Sequence, residues 1–349
     1  MKKQNLINLI KYHMEKNDTA FVSEASEIAK EFDASGNHEL AMYIMELIST
    51  TNMYIPQSCF NNLRFLRKTD YSNKPLLLPN IIEEDIVGIT RAISMGSDIS
   101  KFLFYGAPGT GKTESAHQIA RLLGRDVLTV NFEELIDSKL GETAKNVALL
   151  FDEINHLQYS NVVIVLDEID ALVLNRSVEN DLREMARVTS TFIRELDTLD
   201  QRVTVIATTN MINDFDKAII RRFDAVVSFD RYSKDDLIEV ADALLIENLK
   251  KTHTSRQNMR LFNKILNNLE TIPYPGDLKQ IIKTSIAFSA PTYEYDYLRK
   301  IYLALNGNPQ ELNINKLSAD GFTTREIEIL SRVPKSSVAR RLSGENKNE

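Results

Sequence analysis

The stretch Phe102-Leu103-Phe104-Tyr105-Gly106-Ala107-Pro108-Gly109-Thr110-Gly111-Lys112-Thr113 decides how the rest of the chain is read. Four apolar residues run into a glycine-rich loop, and Ile119, Leu122 and Leu123 then continue a helical pattern. A buried strand, a loop and a helix in that order form the context in which G-x-x-x-x-G-K-[ST] cradles phosphate. The chemistry explains the residue types. Glycines let backbone N–H groups approach phosphate oxygens, and the helix N-terminus adds a favourable dipole. Lys112 offers a point charge to the β- and γ-phosphates, and the Thr113 hydroxyl is a ligand for Mg²⁺. Gly106–Thr113 is therefore the expected nucleotide-binding segment.

A chain of 349 residues suggests two or three domains. Hydrophobic residues make up 43% and charged residues 26%, an ordinary globular composition with enough apolar material for a sizeable core. A net charge of −7 argues against wholesale nucleic-acid binding, while leaving room for a local basic patch. Cys59 is the single cysteine, so neither an intramolecular disulfide nor a cysteine zinc site is expected, and a reducing cytoplasm fits. The N-terminal apolar run is interrupted by Asn8, Lys11 and His13, too early for a signal peptide. No segment approaches the roughly 20 apolar residues of a membrane span. The expectation is a soluble cytoplasmic protein.

Four regions follow from the patterning. Residues 1–74 read as short amphipathic helices and a linker: Leu6, Ile7, Leu9 and Ile10, then Ala25, Ile28, Ala29 and Phe32, then Leu40, Ala41, Ile44, Met45 and Ile48. The helices are expected to run to about residue 70, with a polar linker closed by Pro75 and Pro79. Residues 75–232 alternate strand-like and helical runs, with strands at Val127–Val130, Val162–Leu166, Val203–Ala207 and Ala225–Phe229. That alternation implies an α/β fold built on a parallel sheet. Residues 233–312 are purely helical, opening on Ser233 and Asp236 as a capping pair. Residues 313–349 read as two short helices joined by a tight turn, rich in Arg325, Arg332, Lys335, Arg340 and Arg341.

The apolar run Val162–Leu166 ends in Asp167-Glu168, two carboxylates delivered by a strand some fifty residues after the phosphate loop. Asp167 is placed to hold Mg²⁺ and Glu168 to polarise an attacking water. Phosphoryl transfer to water needs a positioned nucleophile and charge neutralisation more than covalent chemistry. The next strand ends in Asn210, whose neutral amide can orient that water. Arg221 and Arg222 precede the last strand, and a planar guanidinium pairs bidentately with phosphate oxygens.

Gly106–Thr113, Val162–Asp170, Ile206–Asn210 and Ala218–Asp224, in this order and spacing, resemble an AAA+ ATPase close to the AAA family proper. The resemblance covers residues 75–305. It implies a P-loop α/β core with an all-helical lid, ATP and Mg²⁺ as cofactors, and nucleotide bound between subunits of a homo-oligomeric ring, usually a hexamer. It makes Glu168, Asn210, Arg221 and Arg222 the catalytic group. Asn210 matches the family's first sensor, Arg222 the arginine directly before Phe-Asp, and Arg221 sits beside the second finger position. The Gly or Pro usual in that run is absent, so either arginine can be the one that reaches a neighbouring subunit. Ser138–Thr143 resembles the pore loop that grips polypeptide, with Lys139 where an aromatic is expected; it reads as that loop or as a plain strand–helix connection. Pro275-Gly276-Asp277-Leu278-Lys279 resembles the lid's Gly-Ala-Asp-Leu run, with Asp277 expected as a helix N-cap. The tail resembles a helix-turn-helix with Ser336, Ser337, Arg340 and Arg341 on the second helix; it reads as a DNA contact or as a packing element. Bacterial ATPases similar to this one accompany subtilisin-like proteases in mobile-element or phage-defence modules. Two functions are therefore expected in competition: remodelling of a protein substrate, or ATP-switched DNA binding.

Overall fold

The computed structural model describes residues 3–14, 18–48, 63–71, 76–130, 132–136, 142–157, 161–172, 179–252, 256–307 and 312–345. The chain divides into two compact units. One comprises Met1–Pro75, Ile86–Phe104 and Thr113–Val227; the other comprises Leu76–Asp85, Tyr105–Lys112 and Ser228–Glu349.

The first unit opens with helices α1 (Lys3–Met14), α2 (Asp18–Ala34) and α3 (His38–Ile48). Their small core of Ala25, Ala29 and Met45 is the apolar stripe seen in the sequence. The helices expected to run to about residue 70 do not reach it. Leu66–Thr69 is a strand, β1, paired antiparallel with β3 (Asp126–Val130), with Leu66 opposite Val130 and Thr69 opposite Val127. Helix α4 (Asn80–Ser94) then leads to β2 (Lys101–Tyr105), and α5 (Lys112–Leu123) follows the phosphate loop.

The six strands lie in the order β1-β3-β4-β5-β2-β6, with β4 at Val162–Leu166, β5 at Thr204–Thr209 and β6 at Ala225–Ser228. The pairs β3–β4 and β4–β5 are parallel. Every residue of β4 and β5 is buried, as expected for central strands of a parallel sheet covered on both faces. Among the helices between strands are α6 (Phe132–Leu135), α7 (Glu142–His156), α8 (Glu179–Thr198) and α9 (Lys217–Ile220). Phe151 and Phe192 meet edge-to-face at 5.6 Å between α7 and α8, within a core that also takes Ile164 and Val205 from the sheet. This central sheet presents the ends of β4 and β5 side by side, because Leu166 pairs with Ala207 in parallel register.

The second unit holds α10 (Lys234–Thr252), α11 (Met259–Asn267), α12 (Pro275–Ala287) and α13 (Asp296–Leu305), followed by α14 (Ile314–Ala319), α15 (Thr324–Ser331) and α16 (Lys335–Glu345). The last three share one hydrophobic core with the first four: Leu317, Ile327, Leu330 and Val338 are buried with Leu261, Ile282 and Ile301. Ser233 and Asp236 cap α10 reciprocally, backbone to side chain at 2.8 and 3.1 Å. Asp277 is not an N-cap. Tyr274 occupies that position with Pro275 behind it, which places Asp277 in the first turn, where its charge still suits the helix dipole.

Candidate active site

The phosphate loop belongs to the second unit as far as Lys112, and its three glycines have left-handed or otherwise positive φ: 148° at Gly106, 78° at Gly109 and 96° at Gly111. Close packing adds a second constraint at Gly106 and at the contact between Gly109 and Gly276. A Cβ on Gly106 would stand 2.9 Å from the Asp230 carboxylate and 3.1 Å from Phe229 Cβ. A Cβ on Gly276, at the start of α12, would lie only 2.7 Å from Gly109 Cα, and the Gly276 N–H donates to the Gly109 carbonyl at 2.8 Å. Two further residues hold the loop from outside. The Ala107 N–H donates to Asp230 Oδ1 at 2.7 Å, and the Tyr232 hydroxyl donates to the Thr110 carbonyl at 2.8 Å. Burial, helped by Asp236, pushes the Tyr232 phenol well above its usual range, so it remains a donor. Thr110 is fully buried and its hydroxyl bonds the Ala107 carbonyl at 2.9 Å. Pro108 and Gly109 are exposed at the loop's crest. Lys112 is 6% exposed, with Nζ donating to the Gly106 and Ala107 carbonyls at 2.7 and 2.9 Å.

Thr113, the next residue, belongs to the first unit. Its hydroxyl donates to Asp167 Oδ1 at 2.7 Å, across 54 residues of sequence. Thr208, at the end of β5, donates to the same oxygen at 2.7 Å and accepts from the Glu168 N–H at 2.9 Å. Glu168 is exposed and has φ of 53°, one of two non-glycine residues with positive φ among the described residues. The Asn210 N–H donates to Asp170 at 3.3 Å, which fixes the end of β5 to the turn after β4. Arg222 is paired with Asp197, Nε to Oδ1 at 3.0 Å, and also donates to the Ala218 carbonyl. Arg221 is exposed and has no ion-pair partner among the described residues. Asp224 secures the start of β2 by accepting from the Ser100 and Lys101 N–H groups, both at 2.8 Å.

A hydroxyl and a carboxylate hydrogen-bonded to each other are hard oxygen donors of the kind Mg²⁺ takes together with water and phosphate. Thr113 and Asp167 therefore fit the metal, and the glycine loop with Lys112 fits the phosphates. Sequence reading missed Thr208, Asp230, Tyr232 and the Gly276 contact. The latter three reach the loop from more than 100 residues away, and only the Gly-Asp-Leu resemblance hinted at one of them. Lys139, Leu140 and Gly141 of the expected pore loop lie outside the described residues, as does Cys59. Lys279 is exposed, and so are Ser336, Arg340 and Arg341 on α16, whereas Ser337 is half-buried. No described helix is long and apolar enough to cross a membrane.

Residues 102–231 match the family described as ATPases associated with various cellular activities, AAA. An uncharacterized AAA family ATPase of Sinorhizobium fredii is 39% identical over 132 residues, 38% of this chain and 39% of that protein. A proteasome-activating nucleotidase of Methanoculleus marisnigri is 32% identical over 202 residues, 55% of this chain and 45% of that protein. The matches thus span less than half the length of these curated relatives. Among solved structures, the AAA domain of FIGL-1 in complex with ADP superposes with a TM-score of 0.53 at 16% identity, covering 77% of this chain and 96% of that one.

Proposed function

We propose that the chain, whose residues 102–231 match the AAA family, binds and hydrolyses ATP with Mg²⁺ as a cytoplasmic homo-oligomeric ring, a hexamer in the first instance. The observation that carries this reading is the 2.7 Å bond between Thr113 and Asp167, two residues the nucleotide chemistry requires together. Lys112 and the N–H groups of Gly106–Thr113 bind the phosphates, while Thr113 and Asp167 hold the metal. Bound Mg²⁺ supplies charge neutralisation at the phosphate oxygens. Glu168 draws the proton side of the attacking water toward its carboxylate, and Asn210 orients that water with its amide. An arginine from Arg221–Arg222 of an adjacent subunit meets the charge that develops on the transferring group.

The work done with this hydrolysis is the remodelling of a protein substrate. The AAA resemblance and the similarity to proteins named as proteasome-activating nucleotidases support this reading. A subtilisin-like protease is the partner the resemblance suggests. A second reading, an ATP-switched DNA-binding factor, is favoured by exposed Arg340 and Arg341 on α16.

Glu168→Gln tests the catalytic reading. The variant keeps its metal ligands and phosphate loop, so ATP affinity measured by equilibrium binding should stay within about threefold while turnover falls by about 10²- to 10⁴-fold. Hydrolysis at the wild-type rate would remove Glu168 from the mechanism.

A further inference from the structure

Thr208 stands between the two carboxyl residues at the end of β4, and its surroundings give its hydroxyl two jobs at once. The parallel pairing of Leu166 with Ala207 brings the next residues, Asp167 and Thr208, to the same level of the sheet. Thr208 is 1% exposed, so its hydroxyl must be satisfied by protein groups. It accepts the Glu168 N–H at 2.9 Å and donates its own proton to Asp167 Oδ1 at 2.7 Å. A hydroxyl is the smallest side-chain group that can accept and donate in this way.

The backbone at Glu168 makes that bond consequential. A φ of 53° is unfavourable for a residue with a Cβ and persists only where surrounding contacts over-determine it. The side chain of Glu168 is exposed, and its backbone N–H is bonded to the Thr208 hydroxyl at 2.9 Å. The direction in which the Glu168 carboxylate leaves the strand is thus set by its own backbone turn, and that turn is tied to Thr208. The Asp167 carboxylate is held on the same oxygen by Thr208 from one side and Thr113 from the other.

We propose that Thr208 is a positioning residue for hydrolysis: its hydroxyl holds the left-handed turn that aims Glu168 and fixes the Asp167 carboxylate beside Thr113. The inference rests on the assignment of Glu168 and Asp167 given above. It adds a residue that neither the phosphate-loop motif nor the paired carboxylates call for. The Thr208 hydroxyl is committed to Asp167 and to the Glu168 backbone, so its effect runs through those two residues.

The test compares Thr208→Val, which keeps the shape and removes the hydroxyl, with Thr208→Ser, which keeps the hydroxyl, and with Glu168→Gln as reference. In the full chain without nucleotide, the Glu168 amide should exchange with solvent at least about tenfold faster in the valine variant than in wild type, and the serine variant should restore protection. In steady state, Thr208→Val should lower kcat by about ten- to a hundredfold while KM for ATP stays within about threefold, and Thr208→Ser should recover most of the rate. A valine variant with wild-type kcat, alongside an inactive Glu168→Gln, would overturn the role of Thr208 and leave the ATPase reading standing. Equal losses in the serine and valine variants would overturn it as well, because the hydroxyl would then not be the active feature. If Glu168→Gln itself hydrolyses ATP normally, the ATPase assignment of Glu168 falls; the amide-exchange comparison still decides whether Thr208 holds the turn.

Discussion

Arg221 and Arg222 are adjacent in sequence and sit in different electrostatic surroundings. Arg222 is fastened to Asp197 and to the carbonyl of Ala218 within its own chain, whereas Arg221 is exposed without an ion-pair partner among the described residues. An arginine already committed in cis is poorly placed to serve a neighbour, so Arg221 is the better candidate for the residue acting in trans. Arg221→Ala should leave stability unchanged and reduce hydrolysis by about 10³-fold, the worth of an arginine finger. Mixing it with Lys112→Ala subunits should restore part of the activity, since each chain supplies what the other lacks. Arg222→Ala should instead cost about 1 kcal/mol or less of stability, because its pair with Asp197 is half exposed, at 33% and 49%. Absence of rescue in mixed rings shown to form would place Arg221 in cis. The presence of two arginines before Phe223-Asp224 was legible in the sequence. Their division was not, because Asp197 lies 25 residues away on α8 and no local pattern announces it.

At the level of elements, sequence periodicity carried the central strands and the amphipathic helices and failed where an element is short or capped unusually. Leu66-Arg-Lys-Thr69 buries only Leu66, so an edge strand of four residues leaves no alternation to read. The turn between α15 and α16 uses Arg332 in the left-handed region, φ 60°, where a glycine or asparagine would have signalled it. Tertiary contacts offset the strain: Arg332 pairs with fully buried Asp296 at 2.6 Å and lies 4.4 Å above the Tyr293 ring. Burial alone would raise the Asp296 pKa, but the Ala290 N–H and Arg332 outweigh it and hold the carboxyl below its ordinary 3.8. Glu326 behaves likewise. Burial pushes it up, and Lys264 with Thr323 bring it below 4.5. A depressed folded pKa contributes stability that is complete above the unfolded value and lost as pH falls through the folded one. Asp242 acts in the opposite sense, raised by burial against its bond to Asn263, and partly offsets the loss. Amide exchange in α13 should therefore be insensitive to pH-dependent unfolding down to about pH 5 and show declining stability below about pH 4. Arg332→Ala should destabilise the helical unit by about 2 kcal/mol at neutral pH, less than for a fully buried pair because Arg332 is 36% exposed, and should flatten the acid decline. Unchanged exchange in α13 would show that the pair carries no stability.

For the whole molecule, the open question is which macromolecule the ATPase serves, and the C-terminal helices frame the test. Removing residues 313–349 cannot serve as a clean deletion, since Leu317, Ile327, Leu330 and Val338 belong to the same core as α11–α13. Point substitutions on the outer face avoid that damage. Arg340 and Arg341 are exposed on α16, neither has an ion-pair partner among the described residues, and both can meet phosphates without disturbing buried Val338. If α16 contacts DNA, replacing both with alanine removes about two ionic contacts and should reduce the log–log salt slope of binding by nearly two units. Basal ATP hydrolysis should be unaffected. A net charge of −7 makes nonspecific attraction weak, so any salt-sensitive binding that the double variant loses is local to this helix. The same preparations should be assayed for stimulation of hydrolysis by duplex DNA and by an unfolded protein. Stimulation by unfolded protein, equal in wild type and the double variant and without salt-sensitive DNA binding in either, would assign the chain to protein remodelling and leave α14–α16 as part of the helical core. Stimulation by DNA that disappears with Arg340 and Arg341 would assign it to the DNA-binding class.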